Sequence, residues 1–72
     1  MQNLEFQLTG EFVALNDLLK LAGVVDSGGA GKALVASGNV SVDGKMETRK
    51  TCKIRAGQTV SLTGVRIRVI AA

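Results

Sequence analysis

Two stretches of the chain have residue types and spacing suited to chemistry: SGGAGK at residues 27–32, and VSVDGKMETRKTCKI at residues 40–54. Both suit the binding of phosphate. In the first, three glycines precede a lysine. A glycine-rich run that opens a helix offers unpaired amides and the positive end of the helix dipole to an anion. Ser27, Gly28 and Gly29 are the candidate anion-site residues, and Lys32 follows about one turn later. In the second, Lys45, Arg49, Lys50, Lys53 and Arg55 fall within eleven positions, and Glu47 is the one acid among them. These five are candidate phosphate contacts.

The phosphate could belong to a nucleotide or to a nucleic acid. A Walker-type loop needs Gly, four residues, Gly-Lys, then Ser or Thr. With Gly31-Lys32 as its end, the first glycine falls on Asp26 and the magnesium-binding hydroxyl on Ala33. A carboxylate where the loop should hug phosphate repels the ligand. Other catalysis lacks its parts as well. The chain has no histidine, and its single cysteine, Cys52, has no base to activate it. Cys52 is read instead as a small buried hydrophobe. Asp43 and Glu47 read as a turn residue and a solvated strand end. The chain is therefore expected to be non-catalytic, with no catalytic residue, metal site or nucleotide cofactor.

Charge distribution favours a polyanionic partner. Residues 1–31 carry Lys20 against Glu5, Glu11, Asp17 and Asp26, a net −3. Residues 32–72 carry eight bases against Asp43 and Glu47, a net +6. The 72 residues allow one domain and one core, and the 46% hydrophobic fraction is enough to fold it. Aromatics amount to Phe6 and Phe12, so the core must be aliphatic, and both rings are expected inside it. No apolar run approaches the about 18 residues of a membrane span, and no signal peptide pattern opens the chain. The expectation is a cytoplasmic monomer.

The elements that must position these residues follow from periodicity. Leu4, Phe6 and Leu8 alternate with polar residues, which predicts a short strand. Leu15, Leu18, Leu19 and Ala22 line one face of a helix that starts at Asn16 or Asp17 and ends at Gly23. A second helix is capped by Asp26 or Ser27, carries a stripe of Ala30, Ala33, Leu34 and Ser37, and stops at Gly38. The period then returns to two. Val40 and Val42 lead into an Asp43-Gly44 hairpin turn and back through Lys45-Met46-Glu47. Lys53-Ile54-Arg55, Thr59–Leu62 and the alternating Val65, Ile67 and Val69 complete the extended segments. The fold class is α+β: a short N-terminal strand, two short packed helices, then a small, mainly antiparallel sheet of hairpins.

In this order the residues resemble a known family. LNDLLKLAG, the Ser27-led helix ending at Gly38, and NVSVDGKMETRKTCKIRAGQTVSL are similar to the RNA-binding domain of the ribosomal protein S-four type, the alpha-L motif. The pattern's pieces are Ser27, Lys32, Gly38, Val40, Val42, Asp43, Gly44, Gly57, Gln58 and Val60. The stretch Glu47-Thr48-Arg49-Lys50 resembles the stand-alone small bacterial members. The resemblance implies a single RNA-binding domain over 1–72 with its core at about 12–65. It also implies that structured RNA, such as ribosomal or transfer RNA, is bound through the second helix and the hairpin. Many members carry arginine just after the helix-starting serine. Gly28 stands there in this chain, which leaves backbone amides and Lys32 in its place.

With no tyrosine, tryptophan or histidine, and with both phenylalanines assigned to the core, no stacking platform for single strands is expected. Two other functions fit the same elements. A DNA-binding helix-turn-helix would use the two helices, but its reading helix offers only Lys32 as a long polar side chain, where base readout takes three or four. A ribosome-associated interaction adaptor would dock a basic protein on the acidic first half.

Overall fold

The computed structural model describes residues 2–72. Its elements are β1 Gln2–Leu8, β2 Val13–Ala14, α1 Leu15–Leu21, α2 Gly28–Ala36, β3 Ser41–Val42, β4 Lys45–Met46, β5 Lys53–Ile54, β6 Thr59–Leu62 and β7 Val65–Ala71. The fold is α+β, as the alternating and helical periods predict. One sheet has the order β1-β7-β6-β3-β4, and β2 and β5 form a small second sheet. The hairpins are antiparallel. The first and last strands instead pair in parallel, from Gln2↔Val65 to Leu8↔Ala71. Asp43 and Gly44 both take positive φ, 52° and 85°, which is the twist a two-residue hairpin turn requires.

One face of the sheet meets the helices. Leu8, Val60, Ile67 and Val69 join Leu15, Leu18, Leu19, Val35, Val40 and Ile54 in a core built of leucine, valine and isoleucine. Phe6 is half-buried against it. Phe12 is not: it stays 43% exposed, contrary to its assignment to the core. The cause is the β2–β5 pairing, which periodicity did not reveal. The register Val13↔Ile54 and Ala14↔Lys53 sends Val13 and the fully buried Ile54 inward. Side chains alternate along a strand, so the flanking Phe12 must point the other way, to the side of Lys53 and Arg55.

Both helices begin or pack differently from the periodic expectation. α1 starts at Leu15, with Ala14 at its N-cap and no side-chain cap, so neither Asn16 nor Asp17 begins its first turn. Main-chain carbonyls do the capping instead. The amides of Leu15 and Asn16 donate to the carbonyls of Cys52 and Lys50, at 2.9 and 3.0 Å. In α2 the inward residues are Gly31 and Val35, with Leu34 half-buried, while Ala30 and Ala33 face solvent. A Cβ on Gly31 would lie 2.7 Å from the carbonyl oxygen of Asn16. The missing side chain lets α2 press against the α1 backbone, and that contact sets which face turns inward. Among the described residues no helix is long and apolar enough to cross a membrane.

Candidate nucleic-acid interface

Ser27 is the N-cap of α2. Its Oγ accepts from the amide of Ala30 at 3.1 Å, which decides the cap between Asp26 and Ser27. The amides of Gly28 and Gly29 precede the helical ladder and find no protein acceptor among the described residues. Nothing lies within 4 Å of a Cβ built on Gly28, and Gly29 is exposed, so no other element crowds this turn. Lys32 is exposed one turn further on.

The basic segment meets this helix start through Asn16. The amide of Asn16 is bonded to the Lys50 carbonyl, and its own carbonyl abuts Gly31. Asn16 is thus the joint between the two stretches singled out by their composition. Its backbone makes both contacts. Its side-chain Oδ1 is buried without a partner among the described residues. Lys50 and Arg49 are exposed on this segment.

Arg49 is held in a bidentate pair with Glu47. Its Nε and Nη2 donate to Oε2 and Oε1 at 3.1 and 3.0 Å, and its backbone amide donates to Oε2 at 3.0 Å. The Arg49 side chain is nevertheless 77% exposed, against 17% for Glu47. A guanidinium carries five N–H donors, so the unpaired edge can still take a phosphate oxygen. The side-chain hydrogen bond from Arg49, then the one from its amide, lowers the Glu47 carboxyl from 4.5 to about 2. Glu47 therefore acts as a brace that orients Arg49. Cys52, expected as a buried hydrophobe, is only half-buried beside the pair, and burial, then its hydrogen bond to Glu47, raises its thiol.

Lys53 and Arg55 gather at Phe12. The Lys53 Nζ lies 4.9 Å from the ring centroid and the Arg55 Cζ 6.0 Å. The Arg55 amide donates to Gln58 Oε1 at 2.7 Å, and Gln58 Nε2 reaches Asp43 Oδ2 at 3.3 Å. Asp43 Oδ1 also accepts from the Thr59 amide at 2.9 Å. This chain of bonds fixes Arg55 relative to the hairpin turn. Lys45 follows the Asp43-Gly44 turn. It is exposed on β4 next to Met46, whose Sδ covers Gly38 past the far end of α2. Arg66 and Arg68 are on the sheet face away from the helices, in an open groove with Asn3, Glu5 and Thr59.

Two residues escaped sequence reasoning. Asn16 carries no signal, because its role is made by main-chain atoms. Phe12 carried none either, because its exposure follows from the β2–β5 pairing, which periodicity does not reveal.

The helix pair, the Asp43-Gly44 hairpin and the basic return segment coincide with a family pattern. The model of the S4 domain matches residues 6–70. The chain belongs to the S4-domain family. Among S4-type relatives, a protein of Escherichia coli (strain K12) named "Putative RNA-binding protein YbcJ" is 56% identical over 59 residues, 82% of this chain and 84% of that one. A protein of Shigella flexneri, "Uncharacterized protein YbcJ", matches to the same extent. The solution structure of YbcJ from E. coli, described as revealing an αL motif involved in RNA binding, has a TM-score of 0.71 and 48% identity. It covers 99% of this chain and 89% of that chain.

Proposed function

We propose that this S4-domain protein is a non-catalytic binder of structured RNA, reading phosphate positions and helix shape. The observation that supports the proposal is the junction at Asn16, whose amide donates to the Lys50 carbonyl and whose carbonyl abuts Gly31, so that one residue ties the basic segment to the second helix. A rigid pairing of an anion-accepting helix start with exposed bases suits two phosphates of a folded backbone better than one free nucleotide. The RNA-binding description of its E. coli relative supports the same reading. Ser27 orders the helix start, Lys32, Arg49 and Lys50 contact phosphate, and Lys53 and Arg55 extend the footprint along β5. Lys45 takes an outlying phosphate past the other end of α2. The protein works as a cytoplasmic monomer without a cofactor.

A helix-turn-helix on duplex DNA is disfavoured by the exposed face of α2. Gly29, Ala30, Lys32, Ala33 and Ala36 line it, and only Lys32 reaches far enough to read a base edge.

The test is a titration with structured RNA, single-stranded RNA and duplex DNA over a range of salt. Structured RNA binds tightest, and six bases each on one duplex-like phosphate give a slope of log K against log salt of about −5.4. Equal affinity for all three, or a flat salt dependence, rules the proposal out. ATP with magnesium neither stabilises the fold nor is hydrolysed.

A further inference from the structure

The proposed RNA footprint contains an exposed aromatic ring that phosphate recognition leaves unused. Phe12 shows 43% of its surface, and the cationic groups of Lys53 and Arg55 stand 4.9 and 6.0 Å from its centroid. Phe12 immediately precedes β2, whose register turns Ile54 into the core and leaves the ring on the side of Lys53 and Arg55. Simple edge protection by charge does not call for an aromatic ring at this point. A nucleotide offers what this group matches, a flat π-face joined to a phosphate. An aromatic face takes a base by stacking, independently of its sequence, and the Lys53 and Arg55 groups that lie over the ring turn aside onto the adjoining phosphate. A base within a continuous duplex has both faces covered by its neighbours, so only an unpaired one can stack here.

We infer that Phe12, with Lys53 and Arg55, is a stacking site for one unpaired base of the RNA, next to the phosphate-reading junction at Asn16. This rests on the RNA-binding reading and narrows its substrate to duplex RNA interrupted by a bulge or loop. It also reverses the expectation that the chain has no stacking platform, which assumed both phenylalanines to be buried.

The test uses two RNA duplexes of the same sequence, one fully paired and one carrying a single bulged 2-aminopurine. Wild type prefers the bulged duplex by about tenfold, within the range of one base–aromatic stack, and quenches the 2-aminopurine fluorescence. Phe12→Ala loses the preference and the quenching. Phe12→Leu, which keeps an apolar group under the Lys53 and Arg55 stems, loses them too, while Phe12→Trp keeps both. Equal wild-type affinity for the two duplexes overturns the inference, as does a preference that survives in Phe12→Leu. In either case, a loss of affinity for both duplexes in Arg49→Ala/Lys50→Ala leaves the RNA reading intact. If wild type binds neither duplex, the RNA reading and the stacking site fall together.

Discussion

The carbonyl oxygen of Asn16 occupies the place where a side chain of residue 31 would begin, 2.7 Å from the position of a Cβ on Gly31. Any larger residue must push α2 away from α1. Gly31→Ala therefore destabilises the fold by about 1–2 kcal/mol, an overpacking cost partly offset by alanine's better helix propensity. Gly28→Ala meets open space and changes stability by no more than about 0.5 kcal/mol. Urea midpoints of the two variants measure the contrast. Equal midpoints would refute the close contact.

Arg49 and Lys50 carry the proposed contacts nearest the helix start. Replacing both with alanine removes two phosphate contacts and reduces the magnitude of the salt slope by about 1.8. Binding isotherms at several salt concentrations read this directly. An unchanged slope takes the segment out of the interface.

The Glu47–Arg49 pair has a pH signature. The folded Glu47 carboxyl titrates at about 2, below its ordinary 4.5, chiefly because of the Arg49 side-chain hydrogen bond. A depressed folded value means that the stabilisation is full above about pH 4.5 and is lost as pH falls toward 2. The carboxyl 13C shift of Glu47, followed through the acid range, has its midpoint near 2 in wild type and moves up toward 4.5 in Arg49→Ala. A wild-type midpoint already at the ordinary value contradicts the brace.

Asp43 combines a positive φ with two accepted hydrogen bonds, from the Thr59 amide and Gln58. Asp43→Ala loses both bonds and strains the turn, at a cost of about 1–2 kcal/mol. Asp43→Asn tolerates the conformation, keeps one acceptor and costs less than half as much. Denaturant unfolding of the two variants gives the order. Equal stabilities speak against the bonds drawn here.

Apart from β2, the strands, the α1 stripe and the hairpin turn were legible because each depends on local periodicity or on the φ of one residue. Leu15, Leu18 and Leu19 are fully buried, as their spacing implies, and Asp43-Gly44 turns as its type implies. The face of α2 was not legible. Its orientation depends on an absent side chain at Gly31 meeting the backbone of another helix, and periodicity counts only side chains that are present. SGGAGK consequently divides in two: Gly28 and Gly29 keep a helix start open, while Gly31 serves packing. The candidate bases could be named from the sequence. Their grouping could not, since the Asn16–Lys50 bond and the β2–β5 register join segments about 35–40 residues apart.

The parallel pairing of β1 with β7 bears on the order in which the molecule assembles. Every residue of β1 is 63 positions from its partner, whereas the helices and hairpins close over short spans. Long loops are closed at greater entropic cost, so this pairing is made after the local ones. β1 then docks as the final strand onto a body already formed. The junction at Asn16, built entirely from the segments between, is in place before the edge is sealed.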